Sequence, residues 1–224
     1  MPKRITRKHT ATYVYRDKAG EKVVKKLRYS VVDSATGEES KDFRVWNRPD
    51  PEDKPNYWEP SVGAYGGQLL YRLPQLLEAK ARGEDLFWCE GEKDARTAYK
   101  AWGIATTTHH QGGAGARFSQ AEWFAGSSGV IWIVFDRDAT GMQLADHHVR
   151  LLRKWDIPRS RIGLLFPAVT DDHADLTDHI EAGWGLDDLR ELPHKELRHI
   201  IDRIGPLPRG RHKSGRWGSG GTAR

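Results

Sequence analysis

Hydrophobic and polar positions follow two different rhythms along this chain. Residues 11–16 and 23–29 alternate aromatic or β-branched side chains with polar ones, the two-residue period of a half-buried strand. Asp17 to Gly20 between them reads as a hairpin turn, Ser34 to Gly37 as another turn, and residues 41–46 as a third strand. Residues 48–60 are rich in Pro, Asp and Glu and read as an exposed loop. Beyond Gly66 the rhythm changes. Residues 69–81 run from a turn into a helix that tolerates Pro74 in its first turn. Short apolar runs at 86–89, 103–108, 130–135 and 162–166 then alternate with helical stretches at 92–102, 119–124 and 141–155. Ala95, Ala98, Tyr99 and Trp102 form one expected inward stripe; Met142, Ala145, Val149 and Leu152 form another. The run 130–135 is apolar on both faces, as in the middle of a parallel sheet. Alternating strands and helices predict an α/β domain with a mostly parallel sheet flanked by helices, behind a small β-rich module. The expected division is a β-rich module over 1–65, the α/β domain over 66–205, and a Gly-, Arg- and Ser-rich disordered tail over 206–224.

Charge is unevenly spread. The net charge of +5 conceals ten Lys/Arg against two acids in residues 1–28, and five Lys/Arg with no acid in 206–224. The middle carries twenty-one bases and twenty-nine acids, a net of −8. An acidic body between basic ends suits a cation-binding core whose flanks approach a polyanion; basic ends that only confer solubility are the duller explanation. A single cysteine, Cys89, excludes an internal disulfide and a cysteine-built zinc site. No run of about 18 apolar residues exists, so no membrane association is expected. The basic start is followed by no apolar stretch, so a reducing, cytoplasmic setting is expected.

The chemistry concentrates where apolar runs end. The first strand of the α/β region delivers Glu90, and the third delivers Asp136 and Asp138, spaced so that an extended backbone would point both carboxylates the same way. Asp175 and Asp178 follow the fourth strand. Acids gathered at the carboxyl ends of parallel strands repel one another unless a cation lies between them, and oxygen-only ligands suit Mg2+ or Mn2+. The competing explanation is helix capping, which fits Asp94 and Asp178 but explains the Asp136/Asp138 pair poorly. Gln111 to Gly115 is glycine-rich, and Gly112 and Gly113 would let backbone N–H groups approach a phosphate; a tight turn needs the same glycines. His109 and His110 read as loop residues, His147 and His148 as surface ones. Trp46 and Trp58 read as anchors of the β-rich module or as stacking platforms for bases.

Glu90-Gly-Glu-Lys-Asp94-Ala, followed by Phe135-Asp-Arg-Asp138-Ala-Thr-Gly141, resembles the TOPRIM domain of bacterial and phage primases, topoisomerases and certain nucleases. Asp175-Leu-Thr-Asp178-His179 is similar to the third acidic element of primase-type members, and the stretch from Leu70 to Glu78 to their lead-in. The resemblance covers roughly residues 10–190 and implies a Rossmann-like TOPRIM fold of the phage or plasmid primase kind, without the zinc-binding module. It implies that Glu90 serves as an acid/base or metal-bound carboxylate, that Asp136 and Asp138 hold a divalent ion, and that Asp175 and Asp178 are secondary ligands. Lys93 and Arg137 would contact phosphate. The implied activity is nucleotidyl transfer on single-stranded DNA, with a helicase or zinc-binding protein as partner. A metal-dependent nuclease and a non-catalytic nucleic-acid-binding accessory factor are the alternatives.

Overall fold

The computed structural model describes residues 5–49, 54, 56–61, 68–110 and 115–207. Its first sheet is an antiparallel meander of β1 (Ile5–Arg16), β2 (Lys22–Asp33) and β3 (Glu39–Asn47). The turn joining β1 to β2 is built by Asp17, whose Oδ1 accepts from the backbone N–H groups of Ala19 and Glu21. Gly20 closes it at φ 89°, a backbone region glycine enters without steric cost. The strands extend well past the runs that periodicity marked, because residues 5–10 of β1 are exposed, polar after Ile5, and carry no alternation to read. Farther along β1, Ala11, Tyr13 and Tyr15 point inward at the expected two-residue spacing.

The second sheet has the order β5 (Ala105–Thr107), β4 (Leu86–Cys89), β6 (Ile131–Val134), β7 (Ile162–Phe166), β8 (Arg190–Glu191). The first four strands are parallel and β8 closes the edge antiparallel to β7. Around it lie α1 (Leu73–Arg82), α2 (Glu92–Trp102), α3 (Phe118–Ala121), α4 (Ala139–Arg153), α5 (Leu176–Glu181) and α6 (His194–Ile204). From β4 the chain crosses to β5 in one direction, and from β6 to β7 in the other. Right-handed crossovers therefore put α2 and α4 on opposite faces. The contacts agree: α2 packs on α5, and α4 packs on α6. Reversal of direction between β4 and β6 makes their carboxyl ends a switch point, where open α/β sheets leave a crevice.

The α/β architecture and the mostly parallel sheet are as expected, and several details differ. Tyr99 faces outward, with the Arg72 guanidinium 3.4 Å from its ring centroid, while Ala95 and Ala98 are buried beneath α2 and Trp102 packs partly against the core. His109 and His148 are buried, not loop or surface residues; each packs against the fully buried indole of Trp88, His148 stacked at 4.2 Å and His109 edge-on. His110 is buried too. Aromatic packing accommodates these flat side chains where a charged ring would be expelled, and burial lowers the pKa of His110 to about 4 and holds that of His148 well below its ordinary value. No described helix is long and apolar enough to cross a membrane.

One continuous core joins the two sheets. Tyr13 and Tyr15 of β1 pack their rings on Tyr71. At the seam Glu92, buried in the first turn of α2, accepts from Tyr15 Oη at 2.6 Å and pairs with Lys26 Nζ of β2 at 2.7 Å. Lys26 also donates to the carbonyl of His110. A buried carboxylate with two such partners fixes how the β-rich module meets the parallel sheet.

Candidate functional site

Glu90 follows β4 and Asp136 follows β6, neighbouring strands whose ends are in register at Cys89 and Val134. Glu90 Oε2 accepts from the backbone N–H of Asp136 at 3.4 Å, and the Glu90 carbonyl accepts from Thr108 Oγ1. Asp94, in the first turn of α2, is buried and accepts from both the N–H and the hydroxyl of Thr177. Burial, then the charges of their neighbours, push these carboxyls up: Asp136 to about 9, Glu90 to about 7 and Asp94 to about 6. Asp175 adds to the repulsion on all three.

Asp138 takes a different course. Its backbone N–H donates to the Asp136 carbonyl at 2.8 Å, so a tight turn, not an extended segment, separates the two acids. The alternation argument for a shared direction therefore fails. Asp138 is the N-cap of α4: Oδ1 accepts from Gly141 N at 2.7 Å, while Oδ2 meets His173 Nδ1 at 2.6 Å. That contact, with the charge of Asp172, raises the His173 pKa. Asp175 and Asp178 form a reciprocal capping box at the start of α5, each carboxylate accepting the other's backbone N–H. Capping thus accounts for Asp138, Asp175 and Asp178. Asp94 does not cap its own helix but accepts a first-turn N–H of α5 from Thr177, and capping accounts for neither Glu90 nor Asp136.

Lys93 pairs with Asp175 at 3.2 Å; burial opposes its charge, but the carboxylate prevails and holds its pKa above the ordinary value. Arg137 reaches the Val169 carbonyl and lies over the Phe166 ring. Gly112 and Gly113 fall outside the described residues. Trp46 and Trp58 flank the ammonium of Lys25, which lies 5.7 and 4.3 Å from their ring centroids.

A cleft of about 530 Å³ brings these groups into relation with the β-rich module. Glu90, Lys93, Asp94, Asp136 and Asp175 line one wall. Opposite stand Lys26, Arg28 and Lys41 with Phe43, all from β2 and β3. Arg137, Asp138 and Asp178 do not line it. The basic wall was missed from sequence, although Lys26 and Arg28 share a strand face by their spacing.

The donor set fits a hard dication in part. Carboxylates that retain protons near neutral pH for want of a counter-charge are the kind a divalent ion would deprotonate. Among the described residues, however, no group of three or more His, Cys, Asp or Glu is arranged to hold an ion. Magnesium commonly uses one or two carboxylates and completes its shell with water and substrate phosphates, and Glu90 with Asp136 suit that role.

Neither a family model nor a curated protein matches the sequence. Solved structures do match the fold. The E. coli primase catalytic core superimposes with a TM-score of 0.56 at 12% identity, over 86% of this chain and 56% of that one. The Aquifex aeolicus primase zinc-binding and RNA polymerase domains give 0.53 at 15% identity, over 86% and 39%. The Mycobacterium tuberculosis DnaG RNA polymerase domain, in complex with double-stranded DNA, gives 0.50 at 16%, over 86% and 52%. The chain is thus similar in fold to DnaG primase catalytic cores and spans about half the length, or less, of those structures.

Proposed function

We propose that this chain is a TOPRIM-type, primase-like nucleotidyltransferase that acts on single-stranded DNA with Mg2+ or Mn2+. One arrangement carries the reading: a single cleft sets acidic groups at a sheet switch point against a cationic wall. Glu90 and Asp136 would hold the ion, with Asp175 and Asp94 adding negative charge and Asp138 reaching it only by giving up His173. The bound ion would supply charge neutralisation to the transferring phosphate and acidify the attacking hydroxyl.

The remaining work falls to side chains of the cleft. Lys26 is committed to Glu92 and the His110 carbonyl, so it positions the wall. Arg28 and Lys41, without an ion-pair partner among the described residues, are placed to meet phosphates of nucleotide or template. Phe43, exposed at the same wall, offers a ring face to a base. In this reading residues 1–65 form the template-facing module and 66–205 the catalytic domain. Zinc-binding and helicase functions come from partner proteins in a cytoplasmic replication complex.

The test is incorporation of labelled ribonucleotides on single-stranded templates, with Glu90→Gln and Asp136→Asn as controls. Metal-dependent product from the native chain, lost in both folded variants, supports the reading; equal product from the variants overturns it. One observation favours a second reading. Because Asp138 is engaged by α4 and His173, a DNA-binding accessory factor with no turnover needs no further rearrangement. Salt-sensitive DNA binding without incorporation or cleavage would select it.

A further inference from the structure

A second basic surface lies away from this cleft. Between α4 and α6 runs a groove of about 540 Å³ whose rim carries Arg150, Arg153, Lys154, Arg159 and Arg198. Asp146 and Asp202 are its only acids among the described residues. The groove sits at the carboxyl end of α4. The rise of a helix places Arg150 and Arg153 about 20 Å from Asp138 at the other end. Helix α4 also lies on the sheet face opposite α2, which lines the cleft.

Part of this charge has a local explanation. Arg150 pairs with Asp146 at 2.5 Å, Arg153 donates to the Ile157 carbonyl, and both complement the carboxyl end of the helix dipole. Lys154, at the C-cap of α4, shares the dipole but has no side-chain partner; Arg159 and Arg198 have neither role nor partner. Among the described residues their side chains make neither ion pair nor hydrogen bond, and they come from three places: the end of α4, the short turn at Arg159–Arg161, and α6. Cations from separate elements along a groove suit a repeating anion better than a single one. The groove floor is closed by the buried side chains of Val149, Leu197 and Ile201, so a ligand is met by the charged rim.

A hydrogen bond ties together the two helices that line the groove. Helix α6 lines it and ends at Ile204, where the Gly205 carbonyl accepts from Gln143 Nε2 of α4 at 3.0 Å. Asp146 is already neutralised by Arg150, and the guanidinium forks of Arg159 and Arg198 match the paired oxygens of successive phosphates along a strand.

We infer that the α4–α6 groove is a second nucleic-acid-binding surface, contacting the phosphate backbone independently of sequence through Lys154, Arg159 and Arg198. It would hold template or product strand on the face of the sheet remote from the cleft.

The experiment measures binding of a fluorescein-labelled oligothymidine to the full chain by anisotropy, in EDTA, across about 50 to 200 mM KCl. EDTA removes any contribution of a divalent ion at Glu90 and Asp136, so failure of the cleft reading leaves this measurement intact. In Arg159→Glu/Arg198→Glu the salt slope is expected to fall by about 1.4 and low-salt affinity by about tenfold, with an unchanged melting temperature. If that pair melts lower, Arg159→Gln/Arg198→Gln supplies the same comparison. Unchanged slope and affinity in a folded variant would overturn the inference. So would a polyglutamate peptide that displaces the oligonucleotide at equal charge concentration and depends on the same two arginines.

Discussion

Replacing Asp136 with Asn tests whether the cleft is built for a cation. In the cation-free protein Asp136 is pushed up to about 9 and Glu90 to about 7, above unperturbed values near 3.8 and 4.5. An acid with a raised folded-state pKa contributes full stability below its unfolded value, and loses it as pH rises through the folded one. Between pH 5 and 8 the folded pair retains at least one proton that the unfolded chain has released. One proton over that span costs about 4 kcal/mol at 1.36 kcal/mol per unit. For a chain of this length that lowers the melting temperature by roughly 10 °C. Asparagine keeps the shape of the protonated acid without its charge, so Asp136→Asn is expected to remove at least half of the fall. Magnesium at about one hundred times its Kd would return about 2.7 kcal/mol to the native chain at pH 8 and little to the variant. Differential scanning fluorimetry at the two pH values, with EDTA or magnesium, reads all four states. A native melting temperature that is flat or rises from pH 5 to 8, or equal stabilisation of both proteins by magnesium, would refute the reasoning.

Three further outcomes follow from the same geometry. Lys26→Met strands the Glu92 carboxylate in the core with only Tyr15 as partner, so urea unfolding should show a loss of about 3–5 kcal/mol; adding Glu92→Leu should recover most of it. A Cβ at Gly141 would lie 2.2 Å from the Asp136 carbonyl oxygen, so Gly141→Ala should cost more than about 2 kcal/mol and weaken the magnesium response, whereas a free rotation of that loop would leave both unchanged. His173 should titrate above its ordinary pKa by NMR and return toward it in Asp138→Asn; no difference between the two proteins would exclude the Asp138 contact.

Legibility in the sequence followed burial. The runs at 86–89, 92–102 and 162–166 are bounded by turn residues and apolar where they meet the core, and the observed β4, α2 and β7 have those same limits. The outer half of β1 is exposed on both faces and that of β2 half-buried on both, so neither shows an alternation that would mark its length. Nor did the edge strand β8, only two residues long. Within the candidate site, the placement of Glu90 and Asp136 at strand ends was readable, since apolar runs stop there. The direction of Asp138 was not, because it depends on a tight turn at Arg137 and on the helix that follows. Asp94 carries a cap-like position in sequence yet is turned inward by Thr177, a contact between residues far apart in the chain. The basic wall of the cleft comes from a different sheet, and only tertiary packing sets it opposite the acids.

The most direct measurement is a crystal structure of the chain with Mn2+ and a nucleoside triphosphate, read by the anomalous signal of manganese. The expected result is a peak bridging Glu90 and Asp136, with phosphates turned toward Arg28 and Lys41. Nucleotide bound without metal at these carboxylates, or a peak at some other group, would contradict a cation-centred cleft.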